Sequence, residues 1–238
     1  MKTPNAYVIY EGPSELDGKP IVAIATGYAS ASANAKTGAM IQTWILRADI
    51  SPQEAVKTGA DASVCGNCRH RGTSCYVKLF QAPRAVWSAY TKGRYGILSE
   101  DAMAEANRGR QVRIGSYGDP AAVPEAIWRA FTRHAAGWTG YTHQWRQARH
   151  LRNICMASVD SELERRVAAA EGWRTFRVRE ATAPLLVGKE IACPASAESG
   201  KKTACERCGL CSGSESKSRK SISIIVHGSS ARRFSEAA

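Results

Sequence analysis

Short apolar runs broken by glycine, proline and charged residues recur along the chain, and between them lie stretches of helical period; that alternation predicts an α/β fold. Residues 21–26 (IVAIAT) and 40–46 (MIQTWIL) read as strands, preceded by a hairpin arm at 7–10 that turns through Gly12-Pro13 and Asp17-Gly18. A helix is expected from Ser51 as N-cap with Pro52 in its first turn, and helical stretches follow at 84–92 and 99–108. Further strands are predicted at 111–117, 138–143, 153–158, 174–179, 190–193 and 221–226, with helices at 124–134 and 160–171, the latter closed by Gly172.

Eight such strands joined by mostly helical crossovers imply one compact (β/α)8 TIM-type barrel, several of whose crossovers are too short for a full helix. A doubly wound sheet is the alternative. The chain is expected to be a single domain over residues 1–238, with the N-terminal hairpin arm, a cysteine loop at 61–80 and a second cysteine loop at 193–220. In a barrel, functional groups gather at the carboxyl ends of strands, and polar residues do fall there: Ser116, Tyr117 and Asp119, then Tyr141, Thr142, His143 and Gln144, then Ser158 and Asp160. Asp160 reads as the N-cap of the helix behind it, and Asp119 before Pro120 as the start of a turn.

The 238 residues include 33 Lys and Arg against 21 Asp and Glu, a formal charge of +12 that attracts phosphate-bearing partners. No basic block exceeds Lys201-Lys202 or Arg232-Arg233, so the case for nucleic acid is weak. Apolar runs are far shorter than a membrane span and the N-terminus has no apolar secretion core, so no membrane partner is expected. Six of the eight cysteines sit in two tight groups, which favours metal ligation in a reducing compartment, the cytoplasm or a host's cytoplasm, over disulfides.

Cys193, Cys205, Cys208 and Cys211 have the spacing C-x11-C-x2-C-x2-C. Three close thiols and a distant fourth suit a [4Fe-4S] cluster better than the paired hooks of zinc. The strand at 221–226 runs into Gly228, Ser229, Ser230 and Arg232, a phosphate cradle if the loops after the last two strands act as they do in barrels. The same residues read equally well as a polar tail. A cluster and a phosphate-bearing cofactor on one face suggest FMN, its ring near Tyr117, His143 and Gln42, with Tyr117 or His143 as proton donor. Cys65, Cys68 and Cys75, spaced C-x2-C-x6-C, are candidates for a second metal with His70 or Cys155 as fourth ligand; Cys155, between Ile154 and Met156, reads more simply as a buried small hydrophobe.

Residues 34–38 (NAKTG), the C-x2-C-x6-C-Tyr76 stretch, 112–120 (VRIGSYGDP), 140–143 (GYTH) and the terminal CPA…CxxCxLC together resemble a family of small cysteine-rich proteins encoded by prokaryotic viruses. That family is similar to compact barrel enzymes of the iron-sulfur flavoenzyme type. The resemblance implies a [4Fe-4S] cluster, a flavin, and a small-molecule substrate or redox partner protein. The long gap precedes the short ones here, the reverse of the classical flavoenzyme order. Two other functions fit parts of the chain: a zinc-stabilised viral nucleic-acid-binding protein, and a radical S-adenosylmethionine-like enzyme, whose usual C-x3-C-x2-C motif is missing from the sequence.

Overall fold

A computed structural model describes residues 3–32, 34–214 and 220–234. The fold is mixed α/β. Ten strands among these residues form one sheet: β1 (Ala6–Pro13), β2 (Pro20–Thr26), β3 (Ile41–Arg47), β4 (Gly96–Ile97), β5 (Gln111–Tyr117), β6 (Gly137–Thr142), β7 (Met156–Val159), β8 (Thr175–Arg179), β9 (Glu190–Ala192) and β10 (Ser221–Ile225). Helices α1 (Pro52–Thr58), α2 (Ala62–Cys65), α3 (Ala82–Tyr90), α4 (Glu100–Ala106), α5 (Glu125–Thr132), α6 (Glu162–Ala170) and α7 (Cys205–Cys208) fill the connections.

The strand order is β4-β1-β2-β3-β5-β6-β7-β8-β10-β9, and the sheet is open. This corrects the eight-stranded closed barrel. β2 runs antiparallel to both β1 and β3; only residues 14–19 join it to β1, too few for a parallel crossover, while residues 27–40 join it to β3. At the other end β10 lies between β8 and β9. Its Ile222, Ser223 and Ile224 are buried, while three-residue β9 is left at an edge. The end strands β4 and β9, two and three residues long, are too short to close a ring.

Helix ends follow the local sequence. Ser51 accepts a hydrogen bond from the Glu54 N–H and Ser99 from the Ala102 N–H. Ser161, not Asp160, caps α6, its hydroxyl accepting from the Glu164 N–H at 3.1 Å. The main core joins β1, β2, β3, β5 and β6 to α5, whose Trp128 and Phe131 are fully buried. Trp128 Nε1 donates to the Pro120 carbonyl at 2.9 Å.

Strand periodicity divides residues between that core and a cavity on the other face of the sheet. On β5, Val112 and Ile114 enter the core while Arg113 and Gly115 line the cavity, and at the strand end both Ser116 and Tyr117 border it; on β8, Phe176 and Val178 line it while Thr175, Arg177 and Arg179 turn away.

Candidate metal and cofactor site

The cavity holds about 430 Å³ and collects residues from β5, β6, β7, β8 and β10 with parts of both cysteine groups. Cys193 and Cys205 stand on its wall together with Cys65, Cys68 and Cys75, although some 118 residues of sequence, roughly half the chain, separate Cys75 from Cys193. All eight cysteines are free thiols.

Cys193 follows β9, and its N–H donates to the Ser223 carbonyl at 2.7 Å. Cys205 and Cys208 bracket the single turn of α7, and Cys211 lies just beyond, its carbonyl accepting from the Gly140 N–H at 2.9 Å. The Cys205 N–H donates to the Lys36 carbonyl at 2.9 Å and the Glu206 N–H to the Thr37 carbonyl at 3.2 Å, so α7 docks on the 34–39 loop. The Glu206 carboxylate accepts from the Ala39 N–H. Gly38, at φ +71°, has no room for a Cβ beside that carboxylate. Arg174 ties down the far side, donating to the carbonyls of Gly213 at 2.8 Å, Leu210 at 2.7 Å and Lys220 at 2.8 Å.

The four predicted thiols are thus brought into one electrostatic neighbourhood. Burial pushes the thiols of Cys193 and Cys205 up, and pushes that of Cys211 up to about 12; charge on the neighbouring thiols adds to each rise. Lys36 and Arg113 oppose it from the cavity wall. The Tyr141 hydroxyl hydrogen-bonds Cys211, and its ring lies 4.5 Å from that of Phe176. Cationic and hydrogen-bonding groups around thiols are what an electron-rich metal–thiolate centre requires.

Beside them four residues of the wall carry a buried polar atom without a protein partner: Arg113 Nε, Tyr117 Oη, Thr139 Oγ1 and His143 Nε2. Burial holds the Tyr117 hydroxyl protonated far above the ordinary tyrosine range.

The remaining predicted residues are placed differently. Gln42 is taken up within the protein: Nε2 donates to Thr37 Oγ1 at 3.3 Å and to the Met40 carbonyl at 3.2 Å, and Oε1 accepts from Ser116 Oγ at 2.6 Å. Of the supposed phosphate cradle, Gly228 reaches the cavity rim against Tyr76, while Ser229 and Arg232 are exposed and Ser230 half-buried beyond it. Lys36 and Arg113 are the cations on the cavity wall. Cys155 is fully buried behind Gly140 and belongs to the core.

His143 lines the cavity with Tyr117. Its ring lies against the Cys68 thiol, and Nε2 is 3.6 Å from Asp160 Oδ2. Burial alone would lower its pKa, but Cys68 and Asp160 lift it well above the ordinary imidazole value. Asp160 also accepts from His70 Nε2 at 3.0 Å, and His70 Nδ1 meets Ser74 Oγ at 2.7 Å. Burial pushes the Asp160 pKa up, yet the two imidazoles bring it below the ordinary carboxylate range. Among the described residues, His70, His143 and Asp160 form a group whose ligand atoms all lie within 4.8 Å of one another; no three cysteine sulfurs are drawn together that tightly. The grouping of Asp160 with these histidines was not legible in the sequence, where its one visible signal, the step before an S-x-x-E helix start, points to capping.

No family model matches the chain, and no curated protein or solved structure matches it. Among the described residues no helix is long and apolar enough to cross a membrane.

Proposed function

We propose that this protein is an iron-sulfur redox enzyme in which Cys193, Cys205, Cys208 and Cys211 hold a [4Fe-4S] cluster beside a cavity for an organic cofactor or substrate. The observation that carries this reading is that Cys193 and Cys205 stand on a cavity wall bearing Lys36 and Arg113, with Cys208 and Cys211 near enough for their charges to couple. Three closely spaced thiols with a fourth distant in sequence favour a cubane cluster over the paired hooks of zinc. Lys36, Arg113 and Arg174 offset the charge of four thiolates, and the Tyr141 hydroxyl supports reduction by hydrogen-bonding Cys211.

The cavity, at about 430 Å³, falls within the range of small-molecule sites and suits FMN. Lys36 and Arg113, with backbone near Gly228, are better placed for its phosphate than Ser229, Ser230 and Arg232. A bound flavin supplies the coupling of one-electron to two-electron chemistry. Tyr117, held neutral, is the hydroxyl that donates to the cavity's occupant, while His143 is turned to Cys68 and Asp160. The competing nucleic-acid reading loses its stacking platform: all six tryptophans are buried or half-buried, and Trp44, Trp87, Trp128 and Trp138 each donate their indole N–H within the protein.

The test is anaerobic purification followed by absorption and electron paramagnetic resonance spectra with iron, sulfide and flavin analysis. Broad absorbance that bleaches on reduction, lost in Cys208→Ala, is expected. A colourless zinc-loaded protein refutes the reading.

A further inference from the structure

We propose that Cys65, Cys68 and Cys75 hold a second iron-sulfur cluster on the wall of the same cavity, with His143 as its fourth protein ligand. The inference stands apart from the C-terminal site, since it rests on other residues. All three thiols and His143 line the cavity, and they belong to two segments that the fold joins deliberately. Cys65 ends α2, and the Cys68 N–H donates back to its carbonyl at 3.2 Å, so both sulfurs issue from one turn. The Cys75 N–H donates to the His70 carbonyl at 3.0 Å.

The turn is fastened to the residue after His143. Gln144 Nε2 donates to the Cys65 carbonyl at 3.2 Å, and its Oε1 accepts from the Asn67 N–H at 3.3 Å. Gly66, at φ +55°, leaves no space for a Cβ against that amide. The loop thus lies where His143 meets Cys68.

Behind His143 stands the support that metal-bound imidazoles carry. A ligand histidine generally directs its other ring nitrogen at a carboxylate, which fixes the ring and strengthens the donor. Here Nε2 faces Asp160 at 3.6 Å, is buried and has no partner within hydrogen-bond distance. Asp160 is itself anchored by His70 and, through it, Ser74. Both nitrogens of His70 are therefore engaged, and His143, not His70 or Cys155, is the free imidazole beside the thiols. Three soft thiolates with one imidazole select zinc or iron-sulfur centres, and the count of iron per chain separates the two.

The experiment is anaerobic reconstitution of the full chain with iron and sulfide, with iron counted per chain. Two cubane clusters give roughly eight irons in the wild type and roughly four in either Cys208→Ala or Cys68→Ala. His143→Ala should alter the electron paramagnetic resonance signal that survives in Cys208→Ala, and His143→Cys should restore a four-ligand spectrum. Alkylation mapping of the unmutated protein needs no variant: Cys65, Cys68 and Cys75 should be protected until iron is chelated. Cys68→Ala with its iron unchanged, or equal labelling of these thiols before and after chelation, overturns the proposal. Metal lost in His70→Ala but kept in Cys68→Ala also overturns it, because the ion would then sit among His70, His143 and Asp160. Iron unchanged in Cys208→Ala instead refutes the C-terminal cluster alone.

Discussion

Replacing Arg174 by methionine removes a charge while keeping most of the stem's volume. The guanidinium donates to three carbonyls, those of Leu210, Gly213 and Lys220, which together hold the segment carrying Cys211 against β8. A hydrogen bond from a charged donor contributes about 1.5 kcal/mol at the lower end of its range. Three such bonds give about 4.5 kcal/mol, and partial solvation with imperfect additivity reduces this to about 3 kcal/mol. For a chain of this size that corresponds to a melting temperature lower by roughly 6–12 °C. Calorimetry of the reconstituted protein, with iron counted on the same sample, measures both consequences: a lower melting temperature and selective loss of C-terminal iron. Arg166→Met, at an exposed position of α6, is the control and should change stability by less than about 0.5 kcal/mol. Full iron and an unshifted transition in Arg174→Met would show that the clamp does not organise the cysteine loop.

Gly38→Ala forces an alanine to φ +71° against the Glu206 carboxylate, so α7 should undock, at about 2–3 kcal/mol by chemical denaturation and with faster cluster loss in air. Arg113→Gln removes a cation near Cys205 and the cavity; a lost interaction of about 1.4 kcal/mol lowers a one-electron potential by about 60 mV, readable by spectroelectrochemistry. In metal-free protein, the folded pKa of Asp160 lies below its ordinary 3.8, so its contribution is complete above that value and is lost as pH falls below it. Urea unfolding should therefore show the gap between wild type and Asp160→Asn closing between about pH 4 and pH 2. A gap that is constant across this range contradicts the assigned ion pairing.

The strands were legible because apolar runs such as 21–26 and 111–117 are bounded by turn residues, and β2 and β5 occupy nearly those bounds. Their order was not. Nothing local in 221–226 says that it inserts between 174–179 and 190–192, and nothing local in 20–26 says that β2 runs antiparallel to both of its neighbours. Cysteine spacing suggested the C-terminal ligand set of the proposed cluster, since gaps of two residues keep thiols close along the chain whatever the surrounding fold. That His143 stands beside Cys65, Cys68 and Cys75 was not readable, because it comes from a distant strand end, while His70, nearer in sequence, is engaged by Asp160 and Ser74. Gln42 was assigned to a ligand from its strand position, but its amide is consumed by Thr37, Met40 and Ser116.

Anomalous scattering from crystals grown without oxygen, recorded above and below the iron edge, locates the metal without any variant. Iron density enclosed by Cys193, Cys205, Cys208 and Cys211 at the edge of the cavity is the predicted result. Density that appears only at the zinc edge there, or sulfurs joined in pairs with no metal between them, would contradict it.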